Sequence, residues 1–277
     1  MKTQGGRKKI FQCFMAMMTI GAMLLILSCA TVPLTGRKEL QLVPESQLLS
    51  MSFDQYSALL KKSKLSNDPE KVAMVREVGK GIARASEEVM RDYGRASEIK
   101  NYRWAFNLID DDKTVNAFCM PGGKVGVYTG ILPVAQDENG LAVVMGHEVA
   151  HAIAKHGNER MSQGLLAQFG GVALSVALSS HPGVTSDLFM QAYGLGANVG
   201  VLLPYSRVQE SEADRIGLIL MAKAGYDPRE AIPFWQRMNK KGGGRPPEFL
   251  STHPAPETRI KQLQALIPEA MRYYKGR

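Results

Sequence analysis

The sequence predicts an α+β fold that is mainly helical and includes one small antiparallel β-sheet. Apolar residues recur at spacings of three and four along most of the chain, which is typical of amphipathic helices. Three short β-prone segments follow one another between Tyr102 and Tyr128, separated by polar or glycine-rich turns. A length of 277 residues, of which 45% are apolar and 22% charged, suits one large domain and excludes a disordered or fibrous chain.

Helical patterns lie on both sides of the strand region, and no internal repeat or TPR-like period is visible. The predicted helices begin near Pro44, Pro69, Asp137, Arg207, Asp227 and Pro256, and the predicted strands are 102–109, 115–120 and 124–128. Residues 164–203 are glycine-rich and mostly uncharged. Two small-residue helices and a mobile lid or membrane-touching element are both compatible with that segment.

The first residues have the order of a secretory signal. Four basic residues precede an apolar run from Ile10 to Leu27, and Cys29 follows the small residue Ser28. This order resembles a bacterial lipobox, in which the signal is removed and the cysteine carries a lipid. An uncleaved anchor helix is the alternative, although a bilayer span needs about 20 residues. The predicted organisation is a lipoprotein signal at 1–28, a lipidated tether with little regular structure at 29–43, and the main domain at 44–277.

Removal of the signal changes the meaning of the charge and of the cysteines. The formal charge of +8 falls to +4, because 30 basic and 26 acidic residues remain, and no run of Lys and Arg mixed with aromatics is left. We therefore expect no nucleic-acid binding. Cys119 then stands alone, so no intramolecular disulfide is expected. Ala30 after the lipidated cysteine resembles the pattern of outer-membrane lipoproteins, which predicts a lipid-anchored protein of the cell envelope that faces the periplasm.

The segment from Gly146 to His151 contains the motif H-E-x-x-H within a helical pattern. His147 and His151 are one turn apart on the same helix face, so both imidazoles can reach one metal ion, and imidazole is a good zinc ligand. Glu148 lies about 100° further round the helix, where it can take a proton from a water bound at the metal. A surface helix with two histidines and a glutamate is the alternative, but the surrounding residues are apolar. A buried polar group without a partner is costly, which favours a metal.

A second helix carries Glu210 and Asp214, again four residues apart and on one face. A carboxylate as third ligand would complete a His₂Glu site with an open position, and Asp214 could hold the ring of a ligating histidine. Glu212 is turned about 200° from Glu210 and is expected to face solvent. An ordinary salt-bridge network with Arg207 and Arg215 is the alternative for the two acidic residues.

These residues lie in five stretches that occur in the same order in a family of zinc metallopeptidases. The stretches are VPLTGRKELQLVPESQLLSMSF, VNAFCMPGGKVGVYTGI, GHEVAHAIAKHGNER, PYSRVQESEADRIGL and STHPAPETRI. The chain resembles the family that includes HtpX and the CAAX prenyl proteases, and more closely its bacterial lipoprotein branch with LoiP-like and BepA-like members. Because no TPR domain follows, the short LoiP-like form is the better comparison.

The resemblance implies a gluzincin-type fold in which the H-E-x-x-H helix and the later Glu-containing helix pack under a small sheet. It implies one Zn²⁺ per chain, held by His147, His151 and Glu210. Asp214 would accept a hydrogen bond from one of the ligating histidines. It also implies a membrane-anchored metalloendopeptidase that acts on unfolded or misassembled envelope proteins, with outer-membrane assembly machinery as a further partner. Glu148 would be the general base, and His253 and Arg207 are candidates for stabilising the oxyanion.

Several alternatives stay open at these positions. In the family, the histidine of the matching His-Pro loop lies near the metal and either assists or occludes it, whereas a surface-loop histidine is the other interpretation of His253. Arg207 could instead pair with Glu210 or Asp214. His156 is expected to cap or end the metal-binding helix. A chaperone or assembly lipoprotein that binds clients without cutting them, and a latent enzyme in which His253 fills the open zinc position, are the alternative functions.

The strand near the metal-binding helix is the expected site of substrate docking. We expect Lys124, Val125, Gly126 and Val127 to form a sheet edge on which an extended substrate adds as a further strand, with Asn116 supporting that edge. A plain structural strand is the alternative.

Overall fold

The computed structural model describes residues 29–169, 182–195, 206–241, 248–253 and 258–276. The strands are β1 (Cys29–Thr31), β2 (Lys38–Leu40), β3 (Ala105–Ile109), β4 (Ala117–Met120) and β5 (Lys124–Tyr128). The helices are α1 (Glu45–Lys62), α2 (Pro69–Asp92), α3 (Leu132–Ala135), α4 (Glu138–Ile153), α5 (His156–Phe169), α6 (Pro182–Ala192), α7 (Arg207–Lys223), α8 (Ala231–Lys241), α9 (Glu248–Thr252) and α10 (Thr258–Met271). The predicted α+β fold, mainly helical with a small sheet, is confirmed.

Side-chain caps fix where the two helices that bear the site begin. The Asp137 carboxylate accepts a hydrogen bond from the Gly140 amide at the start of α4. Ser206 and Gln209 form a reciprocal capping box at the start of α7. The first four N–H groups of a helix have no intrahelical partner, so these caps stabilise the first turns.

The three-stranded sheet has the order β3-β5-β4, so β5 is its central strand. β4 pairs antiparallel with β5 across a turn at Gly122 and Gly123, whose φ angles of 73° and 76° favour glycine. β3 pairs parallel with β5, because residues 110–116 carry the chain across to the far side of that strand. The sheet is therefore mixed, and the prediction of an antiparallel sheet is wrong in this respect. The two-residue alternation along a strand shows which side chains share a face, but it does not show which strands pair with it.

α4 and α7 cross at two glycines. A Cβ atom on Gly146 would lie 2.8 Å from the Gly217 carbonyl oxygen, and a Cβ atom on Gly217 would lie 2.9 Å from the His147 amide nitrogen. Both separations are shorter than real carbon contacts, so any larger residue would push the helices apart. The close approach brings the H-E-x-x-H segment of α4 next to the acidic segment of α7.

The first described segment is a β-hairpin that packs on the rest of the chain. β1 pairs antiparallel with β2, Val32 is buried, and the Leu42 amide donates a hydrogen bond of 2.9 Å to Ser162 Oγ in α5. The prediction that residues 29–43 have little regular structure is therefore wrong. The strands pair with each other, but the hairpin packs on residues such as Ser162 that lie more than a hundred positions away, and local sequence patterns carry no information about that packing.

Part of the glycine-rich segment 164–203 is described. α6 packs on α5, where Arg160 Nη1 donates a hydrogen bond of 2.8 Å to the Ala192 carbonyl, and Phe189 is fully buried. A packed helix therefore occupies residues 182–192, while 170–181 and 196–205 lie outside the described residues. None of the helices in the described ranges is both long and apolar enough to span a bilayer.

Candidate metal centre and active site

Four donor side chains converge in the buried interior beside α4. His147 and His151 project from one face of α4, Glu210 lies in the first turn of α7, and His253 directly follows α9. One ligand atom from each residue lies within 4.8 Å of the other three. All four side chains are buried, so α4, α7 and His253 together form an enclosed group of potential metal ligands.

The distances between the donor atoms suit a metal ion among them. His147 Nε2 lies 3.1 Å from His151 Nε2 and 3.2 Å from His253 Nδ1. Glu210 Oε1 lies 3.3 Å from His151 Nε2 and 2.9 Å from His253 Nδ1. Ligands at 2.0–2.1 Å from a tetrahedral zinc ion are about 3.3–3.4 Å apart. Imidazole nitrogens and a carboxylate are also the ligands that zinc prefers, so both spacing and chemistry fit zinc.

Glu148 lies beside the cluster with a free oxygen. Its Oε1 atom is buried and has no hydrogen-bond partner among the described residues, and His253 Nε2 lies 3.4 Å from it. Burial raises the pKa of Glu148 to about 8, and the nearby Glu210 carboxylate acts in the same direction against the opposing charge of His147. A carboxyl group that titrates near neutral pH and faces donor nitrogens is suited to transfer protons.

Asp214 holds the ring of His147, and Arg259 holds Asp214. His147 Nδ1 lies 3.1 Å from Asp214 Oδ1, the arrangement that sequence spacing predicts. Arg259 donates two hydrogen bonds to Asp214, at 2.6 Å and 2.9 Å, and its Nη1 lies 2.8 Å from Glu210 Oε2. The Arg259 guanidinium also stacks 3.6 Å above the Trp235 ring. Sequence reasoning missed Arg259, although it belongs to the quoted STHPAPETRI stretch.

Arg207 does not reach this cluster. It is exposed in the first turn of α7, and its predicted role at the oxyanion stays a prediction. The alternative of a salt-bridge network between Arg215 and the two acidic residues is also not found, because Arg215 pairs with Glu269 at 2.8 Å. Glu210 and Asp214 therefore face the metal cluster and not the surface arginines of their own helix.

The expected substrate edge is not an edge. Lys124, Val125, Gly126 and Val127 belong to β5, which has β3 on one side and β4 on the other. The expectation is wrong because β3 pairs with the side of β5 that β4 leaves free. The backbone N–H and C=O groups on both sides of β5 therefore already have strand partners. Asn116 precedes β4 and its side chain donates a hydrogen bond of 3.2 Å to Glu248.

Two further buried residues lie close to the ligands. Glu212 is only 6% exposed, so the expectation that it faces solvent is wrong, because the β1–β2 hairpin covers that side of α7. His156 begins α5, and its Nδ1 atom lies 2.8 Å from His151 Nδ1. The expectation that His156 caps or ends the metal-binding helix is wrong, because α4 ends at Ile153 with Ala154 as its cap and His156 starts the next helix. The sequence could have indicated the contact between the two histidines, because His156 lies only five residues after the ligand His151 and a short turn at Ala154 and Lys155 brings the chain back towards it.

Comparisons with known proteins match the part of the chain that carries this site. A sequence profile of peptidase family M48 matches residues 81–267. Mitochondrial metalloendopeptidase OMA1 of Schizosaccharomyces pombe is 41% identical over 176 residues, which are 63% of this chain and 50% of that protein. The human metalloendopeptidase OMA1, mitochondrial, is 31% identical over 277 residues, or 96% of this chain and 52% of that protein. The β-barrel assembly-enhancing protease of Escherichia coli is 29% identical over 265 residues, or 92% and 51%.

These matches correct the expected location. An outer-membrane protein that faces a bacterial periplasm was expected, but the relatives at 31% and 41% identity are mitochondrial proteins. The bacterial relative also matches, at 29% identity, so the family is confirmed and the bacterial lipoprotein branch is not shown. Neither a lipid anchor nor contact with outer-membrane assembly machinery is supported by these similarities.

The chain spans about half the length of these curated relatives. The profile match begins within α2 and includes the whole of α4 and α7, the two helices that carry the His₂Glu donors and the general-base candidate. The family and the geometry therefore agree on the same part of the molecule, and this chain belongs to peptidase family M48, a family of zinc-dependent metalloendopeptidases.

Proposed function

We propose that this chain is a membrane-associated zinc endopeptidase that cleaves peptide bonds in unfolded or misassembled proteins. The observation that carries the proposal is the buried cluster of His147, His151 and Glu210 with the Glu148 carboxyl group beside it. The names of the relatives, metalloendopeptidase and protease, support the same reaction. The choice of unfolded substrates is part of the proposal and rests on the family resemblance.

His147, His151 and Glu210 would hold the metal, which supplies Lewis-acid polarisation of the peptide carbonyl and lowers the pKa of water to about 7. Glu148 takes the proton from the attacking water and passes it to the nitrogen of the leaving amine. Asp214 keeps the His147 ring in orientation by accepting from Nδ1. The apolar walls of α4 and α7 exclude bulk water, which strengthens each of these electrostatic interactions.

His253 supports a latent form of this enzyme. Its Nδ1 atom lies 2.9 Å from Glu210 and 3.2 Å from His147, so the side chain shares the donor cluster and would fill the position that a His₂Glu site leaves open. Burial lowers the pKa of His253 to about 4, against the Glu210 charge that acts to raise it. A neutral imidazole is a metal ligand, so we propose that His253 occludes the metal until its side chain leaves the donor cluster.

The test of the reaction compares wild type with Glu148→Gln on a reduced, unfolded casein substrate. We expect both proteins to bind zinc, measured by metal analysis, and only wild type to cleave. Glu138→Gln removes a carboxylate from the first turn of the same helix and should cleave as wild type does. Equal cleavage by Glu148→Gln and wild type would contradict the mechanism. Binding of casein by wild type without cleavage would favour the chaperone alternative.

The occlusion by His253 has its own prediction. His253→Ala should cleave the casein faster than wild type at equal zinc content, because the open position becomes available to substrate. Cleavage rates and bound zinc are measured on the same preparations. An unchanged or lower rate with full zinc would show that His253 does not block the site.

Removal of residues 1–28 and lipidation of Cys29 stay predictions. Mass spectrometry of the mature chain tests both, since it reports the first residue and the mass added at Cys29. An unmodified Cys29, or a mature chain that begins further upstream, would contradict them.

A further inference from the structure

The second ring nitrogen of His151 points away from the donor cluster. His151 Nε2 lies among the ligand atoms, 3.3 Å from Glu210 Oε1, while Nδ1 lies 2.8 Å from Nδ1 of His156. A neutral imidazole that holds a metal through Nε2 carries its proton on Nδ1. His151 must then donate, so the Nδ1 atom of His156 must accept.

This assignment fixes the next hydrogen bond as well. A neutral His156 that accepts at Nδ1 carries its proton on Nε2, and that atom lies 3.1 Å from Glu212 Oε2. A carboxylate only accepts, so His156 donates to Glu212. The donors and acceptors of His151, His156 and Glu212 therefore agree in one direction, from the metal ligand to the carboxylate.

Glu212 is itself held by the turn of the β1–β2 hairpin. Thr35 Oγ1 donates a hydrogen bond of 2.6 Å to Glu212 Oε1, and Arg37 Nε donates one of 2.8 Å to Oε2. Arg37 also donates two hydrogen bonds, at 2.9 Å and 2.8 Å, to the Glu159 carboxylate in α5. The hairpin turn therefore joins α5 and α7 through hydrogen bonds on the side of His151 that faces away from the donor cluster.

The two histidine ligands are supported in parallel ways. His147 contacts the Asp214 carboxylate directly, whereas His151 reaches the Glu212 carboxylate through His156. Groups that accept the second N–H of a metal-binding histidine fix its tautomer and ring orientation, and their loss typically weakens metal binding by roughly 10- to 100-fold. The relay of His156 and Glu212 has the connectivity that this role requires.

We propose that His156 and Glu212 are positioning residues for the zinc ligand His151, and that Thr35 and Arg37 hold Glu212 in place for it. The proposal rests on the zinc site of the proposed function. It makes the first segment of the described chain part of the metal centre, although none of its residues is a ligand. Simple packing, in which the polar network only joins the hairpin to α5 and α7, is the competing explanation.

The test measures zinc affinity of the folded full-length protein by competition with a chromophoric chelator. His156→Phe removes both hydrogen bonds, and we expect it to weaken zinc binding by roughly 10- to 100-fold. His156→Gln keeps an acceptor and a donor on one side chain and should restore most of the affinity. Glu212→Gln and Arg37→Met should weaken binding by a smaller factor. Glu269→Gln removes the carboxylate of a different arginine pair on α10 and should bind zinc as wild type does.

A second measurement separates positioning from packing. The visible absorption of the cobalt-substituted protein reports ligand geometry, and it should change in His156→Phe and Glu212→Gln but not in Glu269→Gln. Unchanged affinity and spectrum in folded His156→Phe or Glu212→Gln would overturn the proposal, and so would His156→Gln binding as weakly as His156→Phe. If His156→Phe does not fold, Glu212→Gln and Arg37→Met decide the question by the same readouts. Failure of wild type to bind zinc would instead contradict the proposed function.

Discussion

Arg259 shows how a single buried cation organises the acidic side of the metal centre. Its guanidinium makes two hydrogen bonds to Asp214, lies 2.8 Å from Glu210 and stacks on Trp235. Two carboxylates in a buried site repel each other and are costly to desolvate. Arginine suits the position because its planar group binds one carboxylate with two hydrogen bonds while its face contacts an aromatic ring.

Replacing Arg259 should therefore destabilise the protein strongly. We expect Arg259→Met to lower the free energy of unfolding by roughly 3–5 kcal/mol, because it leaves buried carboxylates without their cation. The measurement is urea denaturation of the zinc-free protein. Arg215→Met is the matched control, since its half-exposed pair with Glu269 should contribute no more than about 1 kcal/mol. Equal losses in the two variants would show that Asp214 and Glu210 do not depend on Arg259.

At the scale of elements, the crossing of α4 and α7 decides whether the ligands meet. Neither helix contains a complete site: α4 supplies the histidines and α7 supplies the glutamate. The glycines at the crossing let the backbones approach so closely that a Cβ atom on Gly217 would lie 2.9 Å from the His147 amide nitrogen. A wider crossing would move Glu210 away from the imidazoles, so the spacing of the donors depends on Gly146 and Gly217.

Filling that contact should be harmful. We expect Gly146→Ala to lower the free energy of unfolding by about 1–3 kcal/mol through overpacking, and to weaken zinc binding because the donors move apart. Gly183→Ala is the control, because a Cβ atom there meets open space in α6 and alanine favours a helix. Thermal unfolding with and without zinc measures both effects. A Gly146→Ala protein as stable as wild type would show that the crossing can relax at no cost.

At the scale of the whole molecule, the hairpin at the start of the described chain closes over helices that come much later. The side chain of Glu39, in β2 of this hairpin, is buried. Gln41 donates a hydrogen bond of 2.6 Å to Glu39 Oε1, whereas Oε2 has no hydrogen-bond partner among the described residues. Burial raises the pKa of Glu39 to about 7, and the hydrogen bond from Gln41 acts against that shift. The folded protein therefore binds this proton more tightly than the unfolded chain does.

This gives stability a specific dependence on pH. A carboxyl whose pKa is raised on folding contributes stability below its unfolded value of 4.5, and that contribution is lost as pH rises through about 7. We expect Glu39→Gln to be more stable than wild type at pH 8, by up to about 3 kcal/mol, and to differ little at pH 4.5. Urea denaturation at several pH values measures the difference. Glu70→Gln, at an exposed position in α2, should show no such trend, and a pH-independent effect of Glu39→Gln would contradict the assignment.

The extent of prediction from sequence differs between parts of the site. His147, His151, Glu210 and Asp214 could be placed because helix periodicity puts residues four apart on one face. Glu212 could not, since the same periodicity gives only its angle and says nothing about which segment covers that angle. Arg259 was missed for a similar reason, because nothing near it in the sequence indicates that it reaches α7.

The sequence by itself determined most of the long helices, the three strands of the larger sheet, the metal-ligand motif and the family, because these depend on local spacing and on residue type. Tertiary structure alone decided that β5 is central and not an edge, that residues 29–40 form a docked hairpin, and that His156 and Glu212 lie behind His151. These features depend on contacts between residues that are far apart in the chain. Such contacts form only where the whole core buries apolar surface and pairs its polar groups, and no local pattern specifies that arrangement.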